Sequence, residues 1–132
     1  MDQPKQRLSA LKLSALASIP LLTTAIVFWQ GSVPAGPSTP GIHDKIAHFI
    51  VFGGLAVLCL PVLRAIGAVK GLSRATQSVW CVAYATVMGG LLELWQATLP
   101  HRSAEWLDFL ADASGAAVAI GLLWLLIPNR KH

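Results

Sequence analysis

Four short stretches of the chain carry residues able to hold or move charge. In His43-Asp44-Lys45-Ile46-Ala47-His48-Phe49 an acid, a base and an imidazole fall within about one helical turn. Asp44 and His48 are four apart, and Lys45 and His48 three apart, so on a helix all three share a side. In Gly89-Gly90-Leu91-Leu92-Glu93-Leu94-Trp95-Gln96 the residues Gly89, Glu93 and Gln96 form one stripe at spacings of four and three. In Asp108-Phe109-Leu110-Ala111-Asp112-Ala113-Ser114-Gly115 the stripe is Asp108, Asp112, Gly115 and then Ala119, polar at its start and small further on. Arg102 sits between the second and third of these helical stretches, in Pro100-His101-Arg102-Ser103.

The residue types define what chemistry is open. Glu93 and His48 are the candidate proton carriers. Arg102 and Lys45 are the groups that would neutralise a phosphate or carboxylate, and the planar fork of arginine suits either. Asp44, Gln96, Asp108 and Asp112 complete the candidate ligand-binding set. His48, Glu93, Asp108 and Asp112 together have the donor types of a divalent-cation site. No metal-ligand spacing such as HExxH occurs, so no metal is expected. GxSxG, a phosphate-cradling glycine loop and a dinucleotide fingerprint are all missing from the chain,. No cofactor is expected, and Ser103 reads as a turn residue.

The elements that must position these residues are spelled out by composition. The chain has 132 residues, enough for one domain over 1–132; 55% are hydrophobic and only 12% charged. Mean hydropathy is +0.61. Soluble domains carry about 25% charged residues, so lipid must cover much of this surface. Four apolar runs stand out, about 13–29, 46–66, 78–99 and 109–127. Each is roughly 17 to 22 residues, which at a rise of 1.5 Å matches a hydrocarbon core of ~30 Å. Backbone groups in a bilayer must be satisfied within the segment, so these are helices. The expected fold is all-α, a polytopic four-transmembrane-helix bundle. Pro20 should kink the first helix. The stretch 31–41 is rich in glycine and proline and reads as an irregular loop. The stretch 64–74 reads as a short basic loop, 98–108 as a tight turn, and Pro128 as the end of the last helix. The first run, with a basic flank and the small-residue stretch Val33-Pro34-Ala35, has some features of a signal peptide. It exceeds a usual signal core and Pro34 is an awkward neighbour for cleavage, so the helix is expected to stay.

Charge sets the orientation. Of ten Lys and Arg residues, Lys5, Arg7, Lys12, Arg64, Lys70, Arg74, Arg130 and Lys131 flank one side of the spans, and only Lys45 and Arg102 fall on the other. Basic residues accumulate inside. The chain is therefore expected in the cell membrane, multi-pass, with both termini cytoplasmic. The acids split the opposite way: Asp2 alone is inside, while Asp44, Glu93, Glu105, Asp108 and Asp112 are outside with His43, His48 and His101. Glu105 reads as an ordinary water-facing acid. The pI near 9.5 does not imply nucleic acid, because the bases form short flanks and no continuous patch. Trp29, Trp95 and Trp106 fall near the outer boundary, Trp80 and Trp124 near the inner one. Cys59 and Cys81 lie inside apolar runs and read as small buried hydrophobes.

Solvation decides where the buried acids point. Glu93 lies about six residues from the end of its run, roughly 9 Å deep at 1.5 Å per residue. A charge at mid-bilayer costs about 2.5 to 3.5 kcal/mol on insertion scales. Glu93 should therefore face the bundle interior and pair with Arg102, Lys45, His48 or Gln96, with arginine the best fit. Three readings of the cluster stay open. It fixes helix register as a non-catalytic scaffold, it forms a polar pocket at headgroup level, or it ligates a cation. A proton-coupled carrier ranks lower, since four helices leave little room for a pathway and the inner half lacks intramembrane charge.

At these residues the chain resembles the VanZ-like family of small bacterial membrane proteins. The family's Asp-Lys-x-x-His-Phe is here Asp44-Lys45-Ile46-Ala47-His48-Phe49. Its Glu-x-x-Gln is Glu93-Leu94-Trp95-Gln96, its turn arginine is Arg102, and its final Asp and Asn-x-x-Gly are Asp108 and Asp112-Ala113-Ser114-Gly115. The resemblance covers about 44–122. It departs at Asp112, where asparagine is usual, and at His101, where glycine is common. The added carboxylate must be protonated or find a cation. The family takes its name from a protein associated with resistance to the glycopeptide teicoplanin. The resemblance thus implies a cell-envelope setting, with an anionic lipid or cell-wall precursor headgroup at the outer leaflet as the expected partner.

Overall fold

The computed structural model describes residues 3–34 and 41–127, and all its regular structure is α-helical. Four helices follow one another: α1 (Gln3–Ser32), α2 (Ile42–Lys70), α3 (Arg74–Gln96) and α4 (Trp106–Leu126). All four are long and apolar enough to cross a membrane. The large exposed residues are overwhelmingly apolar, among them Leu22, Val79, Leu94 and Leu125. Only a bilayer solvates such a surface, so the chain is a multi-pass membrane protein. Residues 35–40, which make up most of the glycine- and proline-rich loop, lie outside the described residues, as do Asp2, Pro128, Arg130 and Lys131.

The helices overrun the apolar segments. α1 and α2 begin well before residues 13 and 46, and α2 continues past Arg64 to Lys70. The basic loop between α2 and α3 shrinks to three residues. The physical reason is that hydropathy reports the thickness of hydrocarbon, whereas a helix goes on in water for as long as its own hydrogen bonds close. Gly71 stops α2 in the left-handed region, at φ 66°, with its N–H donating to Gly67 O,. Ser73 starts α3 by accepting from the Thr76 N–H at 3.1 Å,. α3 ends at Gln96, earlier than its apolar run. There Leu99 N–H donates to Gln96 O at 3.0 Å in a turn that Pro100 cannot extend as helix,. α1 runs through Pro20 without interruption.

The packing is led by one pair. α2 and α4 share the largest contact, α3 packs on both, and α1 touches α2 and α3 but not α4 among the described residues. The α2–α4 approach depends on glycine. A Cβ on Gly115 would collide with the backbone of Phe49, and one on Gly53 would lie 3.0 Å from Gly115 O. Small residues at a crossing let helix backbones meet where no hydrophobic force drives association. The core between α2, α3 and α4 holds Phe52, Leu55, Ala56, Cys81, Ala85 and Ala116. Cys59 and Cys81 are both buried and free, in keeping with their apolar surroundings. At the basic end, Trp124 Nε1 donates to Ser78 Oγ at 2.8 Å, and the Arg74 guanidinium lies over the Trp124 ring at 5.0 Å.

Candidate functional site

The opposite end, where α1 and α3 finish and α2 and α4 start, gathers the polar stripes. Lys45, in the first turn of α2, reaches across to α4. Its Nζ donates to Glu105 Oε2 at 2.7 Å and to Asp108 Oδ1 at 2.8 Å. One turn further in, His48 Nδ1 lies 2.8 Å from Asp112 Oδ1. The His48 ring stacks on Phe52, one helical turn along α2, with centroids 6.1 Å apart and planes at 16°. A spacing of three on α2 and of four on α4 is what makes two rungs possible, Lys45–Asp108 and His48–Asp112, between the same pair of helices. Asp112 is fully buried and Asp108 is 3% exposed.

Glu93 comes to the same place from α3 and is 6% exposed. It faces the interior as expected, but its partner is not Arg102. Glu93 Oε2 accepts from the backbone N–H of Glu105 at 2.7 Å, just before α4 begins. Glu93 Oε1 stands 4.0 Å from His48 Nδ1. Arg102 turns the other way, to the end of α1. Its Nε and Nη2 donate to Val33 O at 3.2 and 2.8 Å. The end of a helix leaves bare carbonyls, and the turn that carries Arg102 lies over the one α1 exposes. His101 makes the same connection, with Nε2 2.9 Å from Ser32 O. So does Gln96, which is buried and donates to Gly31 O at 3.3 Å.

The candidate residues therefore divide. Lys45, His48, Glu93, Asp108 and Asp112 meet between α2, α3 and α4. Gln96 and Arg102 bind α1, and Asp44 lies between the two groups. Glu105, read from sequence as an ordinary water-facing acid, belongs to the first group twice over, through its side chain and its N–H. Its spacing of three before Asp108 was the available signal. Two sets of candidate ligand atoms, Asp44–His48–Asp108 and His48–Glu93–Asp112, each lie within 4.8 Å of one another. Satisfaction is incomplete here. Glu93 Oε1 and Asp112 Oδ2 are buried with no hydrogen-bond partner. The Asp112 carboxylate rests against Gly89, where a Cβ would collide with it.

Beside this cluster a cavity of about 300 Å³ opens between α1, α2 and α3. Its polar wall is Gln30, Asp44, His48, Gln96 and Arg102. Its apolar wall is Ile26, Val51, Phe52 and Leu92. Small-molecule sites start at about this size and share this division into apolar walls and a few polar groups. Among the described residues Arg102 forms no ion pair, so its charge stands at the cavity without a carboxylate partner.

The family model described as VanZ/LLP1 matches residues 1–127. Neither the curated proteins nor the solved structures contain a match. With nearly the whole chain covered, the protein belongs to the VanZ/LLP1 family.

Proposed function

We propose that this member of the VanZ/LLP1 family acts as one membrane domain that binds a phosphate-bearing lipid headgroup in the outer leaflet of the cell membrane. The observation that carries this reading is the cavity between α1, α2 and α3, which joins an arginine, an imidazole and an amide to a greasy wall. A phosphate on an apolar tail has the same division. Arg102 supplies charge-assisted donors, Gln96 an amide, and His48 a group able to give or take a proton. Lys45, Asp108 and Asp112 tie α2 to α4 behind the cavity, Asp44 lines it beside His48, and Glu93 is the second proton carrier. Membrane anionic lipids and lipid-linked cell-wall precursors share this chemistry. Both termini face the cytoplasm in this reading, which the basic flanks of α1 and the α2–α3 turn support.

The test is binding of a short-chain phosphatidic acid to the purified chain in detergent, against a phosphatidylcholine of equal chain length and against inorganic phosphate. The wild type should prefer phosphatidic acid. Loss of a hydrogen bond to a charged group costs about 1.5 to 3 kcal/mol, so Arg102→Gln should weaken binding by about 10- to 100-fold while the protein stays folded. Equal binding of both lipids by the wild type would remove this reading. Preference for lipid-linked precursors over phosphatidic acid would move the source to the cell wall, and a change in glycopeptide sensitivity on deletion would be its cellular sign. A second reading is favoured by the Lys45 and His48 rungs, which link α2 to α4 without any ligand. In it the cluster is a scaffold, so Lys45→Gln would lose fold and the wild type would show no preference between the two lipids.

A further inference from the structure

We infer that His48, Glu93 and Asp112 form a binding site for one divalent transition-metal cation in the interior of the bundle. The claim is separate from the cavity's occupant and stands whether or not a headgroup binds there.

Charge balance is the first support. Five acids, Asp44, Glu93, Glu105, Asp108 and Asp112, share this end of the molecule with two bases, Lys45 and Arg102. Lys45 is held by Glu105 and Asp108 at 2.7 and 2.8 Å. Arg102 is held by a carbonyl. Glu93 and Asp112 are left with His48. A single imidazolium charge cannot balance two buried carboxylates, but a dication with a neutral imidazole does.

Unmet valence is the second, independent support. Glu93 Oε1 is buried without a hydrogen-bond partner, on a residue 94% shielded from solvent; Asp112 Oδ2 is also bare, against Gly89, while Asp112 Oδ1 faces His48. Buried carboxylate oxygens left bare are costly and rare. Glu93 Oε1 points into the cluster, 4.0 Å from His48 Nδ1, and Asp112 Oδ1 lies 2.8 Å from the same atom. A tetrahedral ion with ligand distances of 2.0 to 2.1 Å holds its ligand atoms about 3.3 Å apart. The observed separations straddle that value, so small side-chain movements close the site. Three protein ligands leave a fourth position for water or a ligand oxygen, as in open zinc sites.

The donor set selects the ion. One imidazole nitrogen with two carboxylates suits Zn²⁺ or Mn²⁺ better than Mg²⁺ or Ca²⁺, which prefer oxygen alone. The full chain, purified in detergent and stripped with a chelator, should be titrated with Zn²⁺ and with Mn²⁺. Bound metal should be counted after desalting, and affinity measured by competition with a chelator. The wild type should take up one ion per chain and gain thermal stability from it. Glu93→Gln keeps the size of the side chain and an acceptor for the Glu105 N–H. It should lose at least ~10-fold in affinity, the loss typical even for partners one shell removed from a metal. Asp112→Asn serves the same purpose should Glu93→Gln fail to fold. A wild type that binds neither ion stoichiometrically overturns the proposal. So does binding of unchanged affinity in either variant, which would move the ion to the other histidines.

Discussion

Asp108 sits where charge and burial meet, and it illustrates what a residue in this bundle is worth. It is 3% exposed and accepts from Lys45 at 2.8 Å. Replacing the carboxylate by an amide turns an ion pair into a hydrogen bond with one charged partner, a difference of about 1 kcal/mol. Asp108→Asn should therefore lower stability by about that amount in an SDS unfolding titration, and Asp108→Leu by more, since Lys45 then keeps only the half-exposed Glu105. At this scale the sequence was informative about the two deepest acids and misleading about arginine, which it paired with Glu93. That Glu93 and Asp112 turn inward followed from the solvation of a carboxylate near hydrocarbon. That Arg102 seeks Val33 O did not, because a backbone carbonyl is present at every residue and no side-chain type announces the bare one. Glu105 was misjudged for a related reason. Half of its role is played by its N–H, which is equally anonymous.

Among the elements, the α2–α4 pair carries the site, and glycine makes the pair possible. A Cβ at Gly115 would strike the Phe49 backbone, whereas one at Gly121 meets nothing within 4 Å. Overpacking costs about 1 to 3 kcal/mol, so Gly115→Ala should destabilise by that order and disturb the His48–Asp112 rung. Gly121→Ala should stay within about 0.5 kcal/mol. Measured side by side in the same detergent, equal effects would argue against the close crossing. The small stripe Asp108, Asp112, Gly115, Ala119 was visible in the sequence as a face. Its partner helix was not, because several helices offered glycines and spacing alone does not pair them. Helix existence was plain from four apolar runs, yet helix ends were displaced. Caps such as Gly71 and Ser73 work through backbone geometry that hydropathy does not record.

For the whole molecule, the number of helices and their alternating course were legible from length and charge. Orientation can be tested with the buried thiols as a quiet background. Leu72→Cys, in the α2–α3 turn, should react with a membrane-impermeant maleimide only after the cytoplasmic side is opened. Ser103→Cys should react in intact cells, and the reverse pattern would invert the topology. What the sequence concealed is that the four helices are not equal. α1 is as apolar as its neighbours, yet only 6% of its spanning window is buried, against 33% for α2 and α3. Besides its packing on α2 and the core contacts of Val27 and Phe28, it is fastened by polar clasps: Thr24 to Tyr84 at 2.9 Å, Ser32 to Trp95 at 2.8 Å and Arg102 to Val33. Those clasps draw on α3 and the turn after it, which the ribosome makes much later. α1 can lie against α2 as soon as both are in the bilayer, but its polar clasps close only once α3 has been made. The cavity at its side is therefore complete only when α3 and the turn that carries Arg102 are in place.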